Sequence, residues 1–330
     1  MSSRRAPSPP STPRPYQNWR RRVLADNAAG LRNEYSLLKN ESVYGTTSAF
    51  QAHSRFNRYG NVPLLDATRV VLNDGLVGDY VHASRVDGYK STTGFILTQA
   101  PMPGTIREYW RLVWQEKIQV CVCLTSLSED GTEKATNFFP MSVERPFRAG
   151  PFRILLLSFD EQPSPRKMII CRFKIICWFA SQSRRERDLY FVFYGEWPDR
   201  GVPDNPATFL DMCDLVQELQ QKAWRQWRRQ IDFGHLRSMD GPPPLLINCS
   251  AGIGRSATLA VCVIESSRLR ETHQVDLFNT VRRVRRQRPG SVQNVVQYLF
   301  ISRVIAEAWQ RIPDEEERSS AFPSMSMQYQ

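Results

Sequence analysis

The distribution of apolar and polar positions predicts one continuous domain that contains both strands and helices. Short runs of strand character dominate the first half of the chain, and runs of helical periodicity dominate the second half. The predicted strands are Ala67–Leu72, Asp79–Val86, Gly94–Gln99, Gln119–Leu124, Phe152–Phe159, Met168–Phe179, Asp188–Tyr194 and Leu245–Cys249. The predicted helices are Leu31–Leu38, Thr105–Glu116, Pro206–Leu219 with a pattern that continues towards Arg229, Arg255–Leu269, Val275–Arg286 and Val292–Trp309.

Two of the strand segments are apolar at almost every position. Gln119–Leu124 and Leu245–Cys249 therefore read as strands that are buried on both faces. Such strands need helices on both sides of their sheet to cover them. We therefore predict the α/β class: a single domain with a central mixed, twisted sheet and helices on both faces.

The two ends of the chain differ from the middle in composition. Residues 1–28 are basic and rich in proline and serine, and residues 312–330 are acidic and then polar. Both stretches are predicted to be disordered tails around a domain that covers residues 29–311. No run of about 18 apolar residues and no secretory leader pattern is present, so no transmembrane segment is expected.

Charge and cysteine content narrow the picture only slightly. The formal net charge of +11 suits phosphorylated proteins, nucleic acid or acidic membrane surfaces without choosing among them. The seven cysteines are scattered, odd in number and free of C-x-x-C spacing. This pattern favours reduced thiols in the cytosol and argues against a disulfide framework or a zinc site.

One loop stands out for its chemistry. Cys249 and Arg255 bracket a C-x5-R segment that follows a buried strand and precedes an apolar helix. The spacing alone means little, because Cys262 and Arg268 share it inside a helical run without glycine. The backbone N–H groups of that second segment are consumed by the helix.

The surroundings of Cys249 predict a phosphate-binding loop with a nucleophile. Gly252 and Gly254 allow backbone angles that turn successive N–H groups towards an anion. The following helix directs its positive end to the same place. Arg255 adds a planar cation suited to phosphate oxygens, and the same field favours the reactive thiolate of Cys249. A structural strand–turn–helix with a buried cysteine is the weaker alternative.

The segment Ile247–Ser256 closely resembles the signature of the tyrosine-specific protein phosphatase family. Further segments resemble that family in the same order over Leu31–Trp309, which is the whole globular part. These segments are Asn57-Arg58-Tyr59, Asp79-Tyr80-Val81-His82-Ala83-Ser84, Leu97–Pro101, Tyr109–Trp114, Trp197-Pro198-Asp199 with Gly201-Val202-Pro203, Gln287–Gln293 and Gln297-Tyr298. In the strand segment, His82 stands where the family has Asn.

The resemblance implies hydrolysis of phosphotyrosine in proteins through a phosphocysteine intermediate, without a metal or a cofactor. Cys249 would be the nucleophile, Asp199 the general acid and then the base, and Gln293 the residue that positions water. Ser256 would hydrogen-bond the departing thiolate. The phosphate would be bound by Arg255 and by the loop residues Ser250, Ala251, Gly252, Ile253 and Gly254.

The resemblance also assigns residues around the substrate. Tyr59 would line the pocket wall and stack on the phenol ring, Asn61 would contact the substrate main chain, and Trp197 would anchor a mobile acid loop. Lys134 could contact Asp199 on closure, and Glu129 could support Arg255. Exposed ion pairing is the alternative for both. Gln297 is either part of the glutamine loop or an ordinary helix-surface residue.

Three departures from the family pattern keep a second function open. Asn248 stands where the family has a His before the nucleophile, and it cannot carry charge. Asn61 replaces a frequent acidic residue, and Phe56 replaces a frequent Lys. The alternative is a catalytically weakened pseudophosphatase that binds phosphotyrosine. A third possibility, an RNA 5′-phosphatase, is disfavoured by the Trp-Pro-Asp segment and by Tyr59.

Two runs rich in arginine raise the question of nucleic acid. The runs are Arg282, Arg283, Arg285, Arg286 and Arg288, and Trp224, Arg225, Trp227, Arg228 and Arg229. A solvated helix face is favoured over nucleic-acid binding, since no recognisable binding module surrounds either run. The expected partners are phosphotyrosine-containing proteins, in the cytoplasm and with the nucleus left open.

Overall fold

The computed structural model describes residues 13–25, 28–42, 44–161, 168–178, 184–195, 197–198, 201–230 and 241–313. The strands are β1 (Arg14–Pro15), β2 (Arg69–Val71), β3 (Tyr80–Val86), β4 (Phe95–Gln99), β5 (Val120–Cys123), β6 (Ser128–Glu129), β7 (Thr132–Glu133), β8 (Phe147–Ala149), β9 (Phe152–Glu161), β10 (Ile169–Trp178), β11 (Arg184–Phe193), β12 (Leu245–Cys249) and β13 (Gln274–Val275). The α-helices are α1 (Tyr16–Ala25), α2 (Ala29–Asn40), α3 (Ser48–Ala52), α4 (Ile106–Gln115), α5 (Pro206–Gln230), α6 (Arg255–Thr272), α7 (Leu277–Gln287) and α8 (Val295–Gln310).

The central sheet is mixed, as predicted. Its strand order is β2-β3-β4-β12-β5-β11-β10-β9-β8. The four strands β4, β12, β5 and β11 run parallel, and the flanking pairs are antiparallel. The carboxyl ends of the four parallel strands therefore meet at one edge of the sheet, which is where ligands bind in α/β proteins.

Both faces of this sheet are covered. Along β5, Val120 and Val122 face a core formed largely with α2, α5, α6 and α8, whereas Cys121 and Cys123 face a second core with α4. The continuous apolar run of β5 is thus explained by burial on two sides. The predicted α/β architecture with helices on both faces is confirmed.

The predicted disorder of residues 1–28 is wrong for residues 14–25. β1 pairs with β13, and the Tyr16 ring at the start of α1 stacks on Trp309 with the ring centroids 4.4 Å apart. Trp19 is buried in the same core. Tyr16 and Trp19 provide the apolar contacts that hold this segment on the core. The basic composition of residues 1–28 as a whole does not indicate them. Residues 1–12, 26–27 and 314–330 of the predicted tails lie outside the described residues.

The arginine run on and after α7 is used inside the fold. Arg282 and Arg286 pair with Glu41 at 2.8 and 2.9 Å. Arg285 donates hydrogen bonds to the backbone carbonyl groups of Leu38, Ser291 and Val292. Arg288 is completely buried. The prediction of a solvated face is therefore wrong for Arg285 and Arg288, because carbonyl oxygens rather than water satisfy their donors.

None of the helices in the part of the chain that the structure describes has the length and apolar character to cross a membrane.

Candidate active site

The loop from Cys249 to Arg255 leaves the carboxyl end of β12 and leads into α6. Gly252 has a φ of +71°, and a Cβ atom placed there would lie 2.2 Å from the carbonyl oxygen of Thr98. Only glycine fits this position, because both the backbone angle and the close approach exclude a side chain. The Gly252 N–H donates to Cys249 Sγ at 3.2 Å. The loop therefore directs a backbone donor at the predicted nucleophile.

Arg255, the first residue of α6, is held by the β6–β7 hairpin. Its Nη1 and Nη2 donate to Glu129 Oε1 and Oε2 at 2.5 and 2.7 Å, and Nη1 also donates to the Leu124 carbonyl at 3.1 Å. Burial would raise the pKa of Glu129, but the hydrogen bonds from Arg255 and Thr125 outweigh it and the pKa is lowered. Glu129 stays charged and orients the guanidinium, so the exposed ion pair considered for it is wrong.

A pocket with a volume of about 560 Å³ opens in front of this loop. Most of the predicted site residues line it. These residues are Tyr59, Asn61, Lys134, Trp197, Cys249, Ser250, Ala251, Ile253, Gly254, Arg255, Gln293 and Gln297. Gly252 and Ser256 are buried and do not line the pocket, and the Ser256 hydroxyl has no hydrogen-bond partner. Asp199 lies outside the described residues.

Tyr59 stands at the wall of the pocket beside the phosphate loop. Its hydroxyl lies 2.8 Å from Ser250 Oγ, which donates to the Lys134 carbonyl at 3.2 Å. The segment that carries Tyr59 is fixed by Gln99 at the carboxyl end of β4. Gln99 accepts from the Arg58 N–H at 2.9 Å and donates to the Phe56 carbonyl at 2.8 Å. The parallel strand β4 thus places the pocket wall.

Gln293 and Gln297 lie together beside Gly254 of the loop. The Gln297 side-chain oxygen accepts from the Gln293 N–H at 2.8 Å. Asn294 caps α8 by accepting from the Gln297 N–H at 2.9 Å. An added Cβ at Gly254 would lie 3.1 Å from Gln293 Oε1, so this oxygen faces the phosphate loop. Gln297 is buried beside it, and its alternative as a helix-surface residue is wrong.

Trp197 lies shortly before α5 and is anchored in the core. Its ring packs edge-on against Phe209, with centroids 5.4 Å apart, and its indole N–H donates to the Gly201 carbonyl at 2.9 Å. The Gly201 N–H donates to the Pro198 carbonyl at 3.3 Å. The flanks of the predicted acid loop are therefore tied to each other and to the core.

The comparisons with known proteins agree with this geometry. The family model described as "Protein-tyrosine phosphatase" matches residues 53–307. The chain belongs to the protein-tyrosine phosphatase family.

Relatives in this family include Tyrosine-protein phosphatase non-receptor type 9 of Homo sapiens. It is 32% identical over 291 residues, which is 86% of this chain and 47% of that protein. Tyrosine-protein phosphatase Lar-like of Caenorhabditis elegans is 32% identical over 293 residues, covering 87% of this chain and 12% of that protein. The chain spans about half the length, or less, of these relatives.

A solved structure of the family has the same fold. The catalytic domain of human protein tyrosine phosphatase non-receptor type 18 aligns with a TM-score of 0.73 and 27% sequence identity. The alignment covers 87% of this chain and 99% of that one.

Asn248, which departs from the phosphatase pattern, is fully buried below the nucleophile loop. Its amide nitrogen donates to Cys123 Sγ at 3.2 Å, and its oxygen accepts from the Tyr109 hydroxyl at 3.4 Å. Burial raises the pKa of Cys123 to about 11. Asn248 therefore ties the end of β12 to neutral neighbours in β5 and α4, and it brings no charge to the phosphatase loop.

Arg288 is a site residue that the sequence pattern misses. It reads there as one member of a basic run, but its Nε donates to the Gly252 carbonyl at 3.1 Å and its Nη2 to the Ala251 carbonyl at 3.0 Å. The helical period could have flagged it, since Arg288 lies four positions after Val284 and seven after Val281 and so continues the buried face of α7.

The second C-x5-R segment lies inside α6, as expected. Arg268 pairs there with Glu265 at 3.1 Å, and Cys262 is buried in the core. Within the described ranges no three histidine, cysteine or acidic side chains are grouped to hold a metal ion.

Proposed function

We propose that this chain hydrolyses phosphotyrosine in proteins through a phosphocysteine intermediate on Cys249. The observation that carries the proposal is the shared position of three groups at one pocket. Cys249 Sγ receives the Gly252 N–H at 3.2 Å, and Arg255 lies in the same pocket wall, oriented by Glu129. A nucleophile, backbone donors and a fixed cation at one site suit attack on a phosphate dianion.

In the first step the Cys249 thiolate attacks phosphorus. The S–P bond forms while the bond from phosphorus to the tyrosine oxygen breaks. The departing phenolate has a conjugate-acid pKa of about 10, so it needs a proton. We assign the proton to Asp199, which follows the pocket-lining residue Pro198 in the chain. Arg255 and the loop N–H groups stabilise the transferred phosphoryl group.

In the second step water cleaves the phosphocysteine. Asp199, now a carboxylate, accepts a proton from water as the oxygen attacks phosphorus, and the Cys249 thiolate departs. Gln293 is proposed to hold this water, since its side-chain oxygen faces the phosphate loop. The free hydroxyl of Ser256, directly behind the loop, is proposed to hydrogen-bond the departing thiolate.

Selectivity for phosphotyrosine is assigned to the wall formed by Tyr59. Its ring stands beside the phosphate loop with its hydroxyl 2.8 Å from Ser250 Oγ. An aryl phosphate spans the distance from the loop to the rim, and the ring offers it a stacking surface. Phosphoserine is too short to place its phosphate on the loop while its main chain stays at the rim, near Asn61.

The deciding experiment compares the wild type, Cys249→Ser and Asn248→His on matched phosphotyrosine and phosphoserine peptides. We expect phosphate release from the phosphotyrosine peptide by the wild type, loss of release with Cys249→Ser, and little release from phosphoserine. No release above Cys249→Ser at any pH from 5 to 8 would refute the proposal. Binding without release by the wild type would identify a pseudophosphatase.

We further propose phosphotyrosine proteins of the cytoplasm as partners, with a role in signal transduction. All seven cysteines are buried and free of disulfide bonds, which suits a reducing compartment. Fractionation of cells that produce the full chain tests this assignment, and recovery in a secreted fraction would contradict it.

A further inference from the structure

His82 connects two loops of the site from beneath. It is buried in β3, with 3% of its surface exposed. Its Nε2 lies 3.0 Å from the carbonyl oxygen of Val62, a pocket-lining residue, and its Nδ1 lies 3.1 Å from Arg288 Nη2. A guanidinium can only donate, so Nδ1 must accept and Nε2 must carry the proton. Both nitrogens are used, and only the neutral ring satisfies both partners.

Arg288 transmits this contact to the phosphate loop. It donates to the Ala251 and Gly252 carbonyls and, through Nη1, to Ser84 Oγ at 3.3 Å. In a planar trans peptide the C=O group and the following N–H point in opposite directions. Because the Ala251 carbonyl faces Arg288, the Gly252 N–H faces away from it, towards Cys249 Sγ. Because the Gly252 carbonyl also faces Arg288, the Ile253 N–H points away from Arg288.

We propose that His82 is a positioning residue of the phosphate loop, which acts through Arg288 and only in its neutral form. It supplies the acceptor that holds the Arg288 guanidinium against the two loop carbonyls. Its other nitrogen holds the Val62 carbonyl, so one ring sets the pocket wall and the phosphate loop relative to each other. Its catalytic consequence rests on the proposed phosphatase function, whereas its structural consequence does not.

The surroundings of the ring explain why it must stay neutral. The ring also packs against the Phe50 ring of α3, at 5.8 Å between centroids, and the Thr98 hydroxyl of β4 donates to the His82 backbone carbonyl at 3.1 Å. Among the described residues, Arg288 is the charged group that acts on the ring. Burial, and then repulsion by Arg288, lower the pKa of His82 to about 3. Protonation at Nδ1 would set two donors against each other and release Arg288.

The need for a neutral His82 makes the phosphate loop sensitive to acid. Unfolded histidine binds a proton near pH 6.5, whereas folded His82 does so only near pH 3. The contribution of His82 to stability is therefore complete above pH 6.5 and is lost as the pH falls towards 3. In that window this one group multiplies the unfolding equilibrium constant by about ten for each pH unit.

The test uses the full chain with His82→Asn, His82→Leu and the control His273→Asn. Asparagine offers Arg288 an acceptor that does not titrate, and leucine offers none. His273 has a φ of +57°, which asparagine tolerates. The control therefore makes the same histidine-to-asparagine substitution at a residue that contacts neither Val62 nor Arg288. The measurements are the dissociation constant for inorganic phosphate at pH 7, the alkylation rate of Cys249 by iodoacetamide, and the acid-unfolding midpoint.

We expect His82→Leu to weaken phosphate binding about tenfold and to slow alkylation, with wild-type circular dichroism. We expect His82→Asn to bind phosphate nearly as the wild type does and to unfold at a lower pH, whereas His273→Asn keeps the wild-type acid-unfolding midpoint. Unchanged phosphate binding in a folded His82→Leu would overturn the proposal, and so would an unshifted midpoint in His82→Asn. Neither result depends on turnover, so both remain decisive even if the wild type does not hydrolyse phosphotyrosine.

Discussion

The carboxylate of Glu129 accepts hydrogen bonds from both terminal nitrogens of Arg255, at 2.5 and 2.7 Å. The two side chains are only 10% and 12% exposed, respectively. A planar cation bound in this bidentate way cannot rotate, so Arg255 is oriented in the pocket before any phosphate arrives. Because the pKa of Glu129 is lowered, this orientation persists at neutral pH.

Replacing Glu129 with glutamine should lower kcat/KM for a phosphotyrosine peptide roughly 10- to 100-fold, because the amide keeps one acceptor oxygen and sets its NH2 group against the second Arg255 donor. In the wild type, the charged Glu129 carboxylate should stabilise the folded protein above pH 4.5. This stabilisation should be lost as the pH falls below 4.5, since the pKa of Glu129 in the folded protein lies under the usual 4.5. The matched control is Glu133→Gln on the same hairpin, where the side chain is 63% exposed. Equal kinetics for the two variants would contradict the positioning role.

Gly252→Ala should lower turnover at least about 10²-fold although Cys249 remains. The added Cβ would meet the Thr98 carbonyl at 2.2 Å, at a φ of +71°. The backbone strain alone costs about 1–2 kcal/mol, and a displacement of the loop by about 1 Å is enough for a 10²-fold loss in rate. Gly104→Ala is the control, since nothing lies within 4 Å of its added Cβ. Steady-state kinetics and thermal unfolding of both variants decide the matter, and normal kinetics for Gly252→Ala would refute the geometry.

Asn248→His should change reactivity and stability in opposite directions. A ring that can carry charge, placed next to the nucleophile, should increase the thiolate fraction of Cys249 and accelerate its alkylation at pH 6. The site is fully buried against Cys123 and Tyr109, so the larger ring should cost about 1–3 kcal/mol in unfolding free energy. Iodoacetamide kinetics and urea unfolding measure the two effects. Equal or slower alkylation by a folded variant would contradict the expected effect of the ring on the nucleophile.

Asp199→Ala should reduce kcat for phosphotyrosine by roughly 10²–10⁴, the range for loss of a general acid. The loss should shrink for aryl phosphates with a more acidic leaving phenol, because these need no proton. Asp204→Ala is the control, as an exposed acidic residue five positions further along the same connection to α5. A loss that is independent of the leaving group would assign Asp199 a structural role instead of proton transfer.

Much of the site could be predicted because its chemistry is local in sequence. Cys249, Gly252, Gly254 and Arg255 lie within one turn between a strand and a helix, and the residue types alone predict an anion site. The partners of Arg288 could not be predicted in this way. Its neighbours Arg282 and Arg286 pair with Glu41 near the surface, whereas Arg288 binds loop carbonyls more than thirty residues away in the chain.

The sequence by itself determined the α/β class, the order of the main strands and helices, and the loop that carries Cys249, because backbone periodicity and glycine placement act over a few residues. The tertiary structure decided what surrounds that loop. Parallel pairing of β4, β12, β5 and β11 carries Gln99, Cys249, the Glu129 hairpin and Trp197 to one edge of the sheet. Strand order depends on pairing between segments more than a hundred residues apart, such as Val122 of β5 with Ile247 of β12. No pattern within a single segment encodes that meeting.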